Sequence, residues 1–274
     1  MILGIHCALG RGFDAALQEA VSLGCQVMQM LPYRRHHDPD DGELARFKQK
    51  FSRSPLARLL IHSRFVPSLA SSDPLRRGRS AALLSRELVL ASKLGASAFI
   101  LHAGAYSPGG NLTEGIGLAV ESIIRSYDRS QSLVPLYLEN VPGGGRRIGG
   151  KLEELADMLE SLDRRLPQTA VCLDTAHAWA CGYEIASAEG MMGFLAKAKR
   201  LLGAWRVRAF HLNDTRALLG SHREHHGHWG QGHLGREGLK VLLESPQYQQ
   251  SIGILETPKE EGWDRKNLEY IRAL

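Results

Sequence analysis

The sequence predicts one α/β domain over residues 1–274, a (β/α)8 barrel with its active site at the C-terminal ends of the strands. Three observations carry this. Eight short apolar runs rich in branched or aromatic residues recur along the chain, each followed by a longer stretch with helical periodicity. The runs are nearly continuous in hydrophobicity, as in parallel strands covered on both faces. No GxGxxG follows the first run, which argues against the doubly wound open sheet, and no linker or repeat divides the chain.

In order, the strands are expected at ILGIHC (2–7), QVMQML (26–31), RLLIHS (58–63), SAFILHA (97–103), PLYLEN (135–140), AVCLDTAH (170–177), VRAFHLND (207–214) and IGILETP (252–258). The first helix, near 13–24, has Asp14 early and Gly24 as its stop. The helix over 79–95 ends at Gly95 and sets Leu84, Leu88 and Ala91 on one face. The others are expected near 41–53, 113–129, 151–162, 188–202, 235–245 and 264–273.

Composition narrows the class of protein. Lys plus Arg number 34 against 29 Asp plus Glu, a net charge of +5, which mildly favours an anionic partner. The opening MILGIHCALGRGF lacks a basic segment followed by a long apolar run, and no stretch approaches the roughly 20 apolar residues of a membrane helix. The four cysteines form no CxxC pair. A cytoplasmic protein with reduced thiols and no membrane contact is expected.

The strand ends then become informative. His62, His102, Glu139, Asp174, His211 and Glu256 stand at the ends of six strands, His177 lies just beyond the sixth, and the loop REHHGHWGQGHLG (223–235) follows the seventh. Any one of these alone is usually a satisfied hydrogen-bonding residue. Glu139 and Glu256 follow apolar strands, however, where an unpaired buried charge costs several kcal/mol. Metal ligation accounts for the whole set: imidazole and carboxylate suit Zn²⁺, and also Mn²⁺ or Fe²⁺. About nine candidates exceed one tetrahedral ion and suggest two or three. Paired metals suit phosphate-ester hydrolysis, and no GxSxG or P-loop motif offers another chemistry.

At these residues the chain resembles the endonuclease IV family of apurinic/apyrimidinic endonucleases. LEN (138–140), CLDTAHAWACGYE (172–184), FHLNDTRALLGS (210–221), GQGHLG (230–235) and LETP (255–258) carry the likeness. The resemblance implies a barrel with three zinc ions that cleaves double-stranded DNA 5′ to an abasic site, leaving a 3′-hydroxyl and a 5′-deoxyribose phosphate. It implies that His62, His102 and Glu139 hold the first ion, and that Glu139, Asp174, His211 and Glu256 hold the second. His177, Glu224 and His226 would hold the third. Glu139 and Glu256 would be the catalytic carboxylates, and the protein a monomer. Phe65 stands where the family inserts an aromatic into DNA, and Arg35 and Arg64 lie in loops expected to meet the backbone.

The chain also departs from the family. Glu224 replaces the usual Asp, adding one methylene, or roughly 1.5 Å. NVPGGG follows Glu139, HAGAY contains the turn after strand 4, and LPYRRHH stands for the early N-P-R-x-W stretch. A sugar isomerase or epimerase on the related barrel is the alternative, needing one or two metals and no third cluster.

Overall fold

The computed structural model describes residues 1–274. Eight parallel strands close in chain order: β1 (Ile2–His6), β2 (Val27–Met30), β3 (Arg58–His62), β4 (Ala98–His102), β5 (Leu136–Glu139), β6 (Ala170–Asp174), β7 (Val207–His211) and β8 (Ile252–Leu255). Around them lie α1 (Phe13–Ser22), α2 (Asp41–Ser52), α3 (Pro74–Leu94), α4 (Leu112–Ser130), α5 (Leu152–Leu162), α6 (Thr175–Cys181), α7 (Ala188–Leu202), α8 (Glu237–Glu244) and α9 (Trp263–Arg272). No helix is long and apolar enough to cross a membrane.

Several elements differ from expectation: β7 and β8 stop three residues early, at His211 and Leu255, and α6 is a ninth helix where the sequence pattern gives eight. The sixth strand ends at Asp174 rather than 177, because the Asp174 side chain accepts from the His177 backbone N–H and starts α6. α3 begins at Pro74, five residues before the expected 79. Asp73 caps it by accepting from Leu75 and Arg76, so its exposed first turn needs no apolar residue.

Two apolar layers hold the barrel together. A cluster of 61 buried residues lies between sheet and helices, and a smaller one of eight fills the interior: Val27, Leu60, Ala98, Ile100, Cys172, Ala209, Ile252 and Ile254. These eight lie two or four residues before Gln29, His62, His102, Asp174, His211 and Glu256, so with a side-chain period of two the later residues also point inward. At Gly4 the Val27 carbonyl oxygen would stand only 1.9 Å from a Cβ, so the first strand contributes backbone alone at this level.

Register turns the inward positions into a ring. His6 pairs with Gln29, His102 with Glu139, and Asp174 with His211. At the other junctions inside the sequence, Gln29 pairs with Leu60, His62 with Ile100, Glu139 with Cys172, and His211 with Ile254. At each of these the ring continues two residues further on, the stagger that a barrel of shear eight distributes around its circumference. Ile5 pairs with Leu255, one residue below His6 and Glu256, and closes the circuit. Each strand therefore supplies one polar residue at the mouth, above the apolar filling.

Candidate metal centre

The ring brings the sequence-predicted donors together in three overlapping groups. His62, His102 and Glu139 form one, Glu139, Asp174, His211 and Glu256 a second, and Asp174, His177 and His226 a third; within each group the donor atoms all lie within 4.8 Å of one another. Glu139 Oε2 is 2.8 Å from Nε2 of both His62 and His102, while Oε1 is 2.8 Å from His211 Nδ1. Glu139 thus spans the first two groups. Asp174, which the resemblance puts in the second alone, spans the second and third, with Oδ2 at 3.4 Å from His226 Nε2.

Glu224 enters from the loop after β7, half exposed, and its Oε1 is 2.7 Å from His177 Nε2 and 3.7 Å from His226 Nε2. The longer side chain reaches the third group. All nine residues expected to carry the metals therefore converge on one mouth.

The proton positions show what the centre can hold. His62 Nδ1 is 2.8 Å from the Ser63 carbonyl, and His177 Nδ1 is 2.8 Å from the Asn140 carbonyl. A carbonyl oxygen only accepts, so each Nδ1 donates its proton and the neutral ring turns a bare Nε2 toward the carboxylates. A lone pair facing a carboxylate oxygen at 2.8 Å or less needs a cation or an extra proton there. Every ion-pair partner of Glu139, Asp174, Glu224 and Glu256 is a histidine, never a Lys or Arg. Histidines fixed from behind by carbonyls, with carboxylates beside them, are the donor pattern of a divalent metal site. The residues fit such ions.

The carboxylates and imidazoles also shift one another's pKa. Burial disfavours the charged forms throughout. For Glu139, His211 and His102 outweigh it and hold the carboxyl well below the usual range. For Glu256, His211 and His6 do the same. Burial opposes protonation of His177, yet Asp174, Glu139 and Glu224 raise its pKa well above that of free histidine.

The family-like motifs gain local reasons. Asn140, of LEN, accepts from the Asp174 backbone N–H at 2.6 Å and donates to its carbonyl at 3.1 Å. Asn213, of HLND, donates to Asp174 Oδ2 at 2.7 Å and accepts from the Glu256 N–H at 2.8 Å. Asp214 is fully buried and organises the glycine-rich loop. Its carboxylate accepts from the N–H groups of Thr215, Gly230, Gly232 and Leu234. A Cβ on Gly232 would stand 2.4 Å from Asp214 Oδ1, so this close approach requires glycine. The loop's remaining histidines lie outside the groups. His228 stacks on Trp263 at 4.1 Å, His233 on Trp179 at 6.3 Å, and His225 lies 3.4 Å from Thr215 Oγ1.

A cavity of about 240 Å³ opens above the metal groups, lined by His6, His62, His102, His177, Glu224, His226 and Glu256 on one side and Ser63–Val66 on the other. Phe65 is 55% exposed beside it. Arg64 packs over the Tyr33 and Phe65 rings and donates to the Tyr33 carbonyl at 2.7 Å, so it braces this wall as well as charging it. An adjoining cavity of about 510 Å³ is lined by Arg34, Arg35, His37 and Arg64 with no acidic residue.

Two buried residues near the mouth carry no ligand-type signature in the sequence. Glu87 of α3 accepts from Ser63 Oγ at 2.8 Å, the Arg64 N–H at 3.2 Å and Tyr33 Oη at 3.3 Å, tying the loops after β2 and β3 to one helix. Gln29 belongs to the ring itself. Only the fold shows what these two touch.

Known proteins share this fold. The family model for xylose isomerase-like TIM barrels matches residues 17–274. A Solibacter usitatus protein named "Probable endonuclease 4" is 34% identical over 288 aligned positions, covering 100% of this chain and 97% of that one. The crystal structure of endonuclease IV from Thermus thermophilus superposes with a TM-score of 0.83 at 28% identity, covering 100% of this chain and 98% of that chain. A D-tagatose 3-epimerase-like protein shares the fold at a TM-score of 0.75 with 16% identity, covering 100% of this chain and 99% of its own.

Proposed function

Since the chain belongs to the endonuclease IV family of xylose isomerase-like TIM barrels, we propose that it is a DNA repair endonuclease using three zinc ions. It hydrolyses the phosphodiester 5′ to an abasic site in duplex DNA and leaves a 3′-hydroxyl and a 5′-deoxyribose phosphate. It acts in the cytoplasm as a monomer, and residues 1–274 are one catalytic domain. The observation that carries this reading is the third donor group. His177 and His226 meet Asp174, and Glu224 reaches His177, beyond anything a one- or two-metal isomerase requires.

His62, His102 and Glu139 hold the first ion, Glu139, Asp174, His211 and Glu256 the second, and His177, Glu224 and His226 the third. Mn²⁺ or Fe²⁺ fits some of the same donors. Bound divalent ions supply Lewis acidity toward phosphate oxygens and lower the pKa of water. The protein's own groups do the remaining work. Glu139 and Glu256, the catalytic carboxylates, stay ionised in a buried mouth because imidazoles surround them. Asn140 and Asn213 lock Asp174, and backbone carbonyls lock the rings of His62 and His177. Arg35 and Arg64 attract the DNA backbone, an affinity that falls with salt. Phe65 stands at the mouth as a wedge to hold the gap left by an extruded nucleotide.

The test is a duplex carrying one tetrahydrofuran abasic analogue, which cannot undergo β-elimination. Incision on its 5′ side to a 3′-hydroxyl, lost on prolonged chelation and regained with zinc, is the expected result. No incision with zinc or manganese supplied would overturn the reading and make carbohydrates the next substrates to try.

A further inference from the structure

Six members of the ring belong to the three donor groups. The other two, His6 and Gln29, stand side by side in register on β1 and β2. Gln29 is fully buried, so both ends of its amide need partners. Its Nε2 makes a short contact with Glu256 Oε1, a carboxylate oxygen that only accepts, and this fixes the NH₂ end toward β8. The amide oxygen then faces His211 Nε2 at 2.9 Å and must accept from it. His211 is left with a bare Nδ1, 2.8 Å from Glu139 Oε1 and 3.2 Å from Glu256 Oε2. His62 and His177 are wired the opposite way, donating through Nδ1 and presenting Nε2. Gln29 Nε2 also lies 2.9 Å from His6 Nδ1, which is 3.1 Å from Glu256 Oε1.

We propose that Gln29 is a positioning residue for the second ion: it selects the Nε2–H form of His211 and turns Glu256 Oε2 toward the same point. One neutral amide performs both tasks, accepting from the imidazole and donating to the carboxylate. A carboxylate in its place could accept but not donate, and an apolar side chain could do neither. The inference rests on the proposed metal centre, and its consequence is specific. The affinity of the second ion depends on a residue that is not a ligand, and His211 coordinates through Nδ1 where its neighbours use Nε2.

The experiment strips the full-length protein with chelator and titrates zinc back into wild type, Gln29→Met and Gln29→Glu. Bound metal is counted at each step, and the zinc-loaded proteins are labelled with ¹⁵N-histidine for NMR. Wild type is expected to show His211, assigned by its loss in His211→Asn, coordinating through Nδ1. Gln29→Met is expected to weaken one ion by roughly 10–100-fold and leave the others unchanged. Gln29→Glu keeps the acceptor and so is expected to retain the Nδ1 signature with weakened affinity; it also serves if the Met variant does not fold. A wild type that binds no divalent ion would overturn the metal centre itself. Normal metal uptake with His211 coordinating through Nε2, or with zinc affinity unchanged in both variants even at a lowered melting temperature, would overturn the role of Gln29 alone.

Discussion

The two walls of the barrel mouth are built by different means. The metal-facing wall comes from strand ends, and strand register decides which residues meet: His102 lies opposite Glu139 and Asp174 opposite His211. His62, His177, Asp174 and His211 are then fixed from behind by a carbonyl, an asparagine or Gln29. The outer wall, with Arg35, Arg64 and Phe65, comes from the loops after β2 and β3, and Phe65 is more than half exposed. Glu87 is its main buried anchor. On the proposed function, metal chemistry, which tolerates little displacement, would sit on the sheet, and contact with a long, repetitive polyanion, which tolerates more, would sit on loops. The loop after β7 belongs to both kinds. It is a loop, yet Asp214 pins it with four backbone hydrogen bonds, and it delivers Glu224 and His226 to the third group.

That contrast can be broken first at its strongest point. Glu139→Gln keeps the shape of the residue joining the first two groups but removes its charge. Incision of the tetrahydrofuran duplex should fall by about 10²–10³-fold in single-turnover rate, with the far-ultraviolet circular dichroism unchanged. A variant cutting at the wild-type rate would remove Glu139 from the chemistry. Next, His226→Ala should lose about one ion per chain by elemental analysis while the strand-borne groups keep theirs. Glu224→Asp should retain all of them, since aspartate is the family's usual residue.

The pinned loop is the intermediate case. Asp214→Asn sets an amide NH₂ against backbone donors, and one or more buried N–H groups lose their acceptor. A loss of about 1–3 kcal/mol in chemical denaturation is expected. The third ion should weaken before the first two; simultaneous loss of all three would mean that the loop does not behave as a separate unit. The smallest effect belongs to the outer wall. Arg35→Ala should lower the slope of log affinity against log salt by about 0.9 and leave single-turnover cleavage at saturating enzyme unchanged. Arg64→Ala should change both, because Arg64 also braces Tyr33 and Phe65.

Protons offer a further way to sharpen the comparison. His177 has a raised pKa in the metal-free chain, despite burial, because Asp174, Glu139 and Glu224 surround it. A raised pKa leaves the ring protonated up to higher pH, and zinc must displace that proton to bind. Loading should therefore release protons, and apparent zinc affinity should rise with pH across the neutral range. Calorimetry in two buffers of different ionisation enthalpy measures the release. No release at neutral pH would mean that the imidazoles are already neutral.

Much of this is legible in the sequence. The eight strands stand out as apolar runs. The nine donors stand out because histidines and carboxylates gather at the ends of apolar strands and in one loop, where separate capping or surface roles would scatter them. What stays hidden has physical reasons. The sixth strand reads three residues too long because TAH continues its small and apolar pattern, while the cap at Asp174 is a side-chain hydrogen bond. The start of α3 does not show because its first turn, PLRRGR, is largely exposed and carries no apolar stripe. Gln29 in QVMQML resembles any polar residue in a strand. Only register, which no single strand encodes, sets it beside His6 and in reach of His211 and Glu256.

The central claim is that the ring and the pinned loop together hold three metals that serve one reaction. Its most direct test is the number of divalent ions per chain at full activity, obtained by adding zinc stepwise to the chelated protein and following incision of the abasic duplex. Activity that rises to its plateau only as occupancy approaches about three ions per chain is the predicted result. Full incision at one or two ions per chain would contradict it.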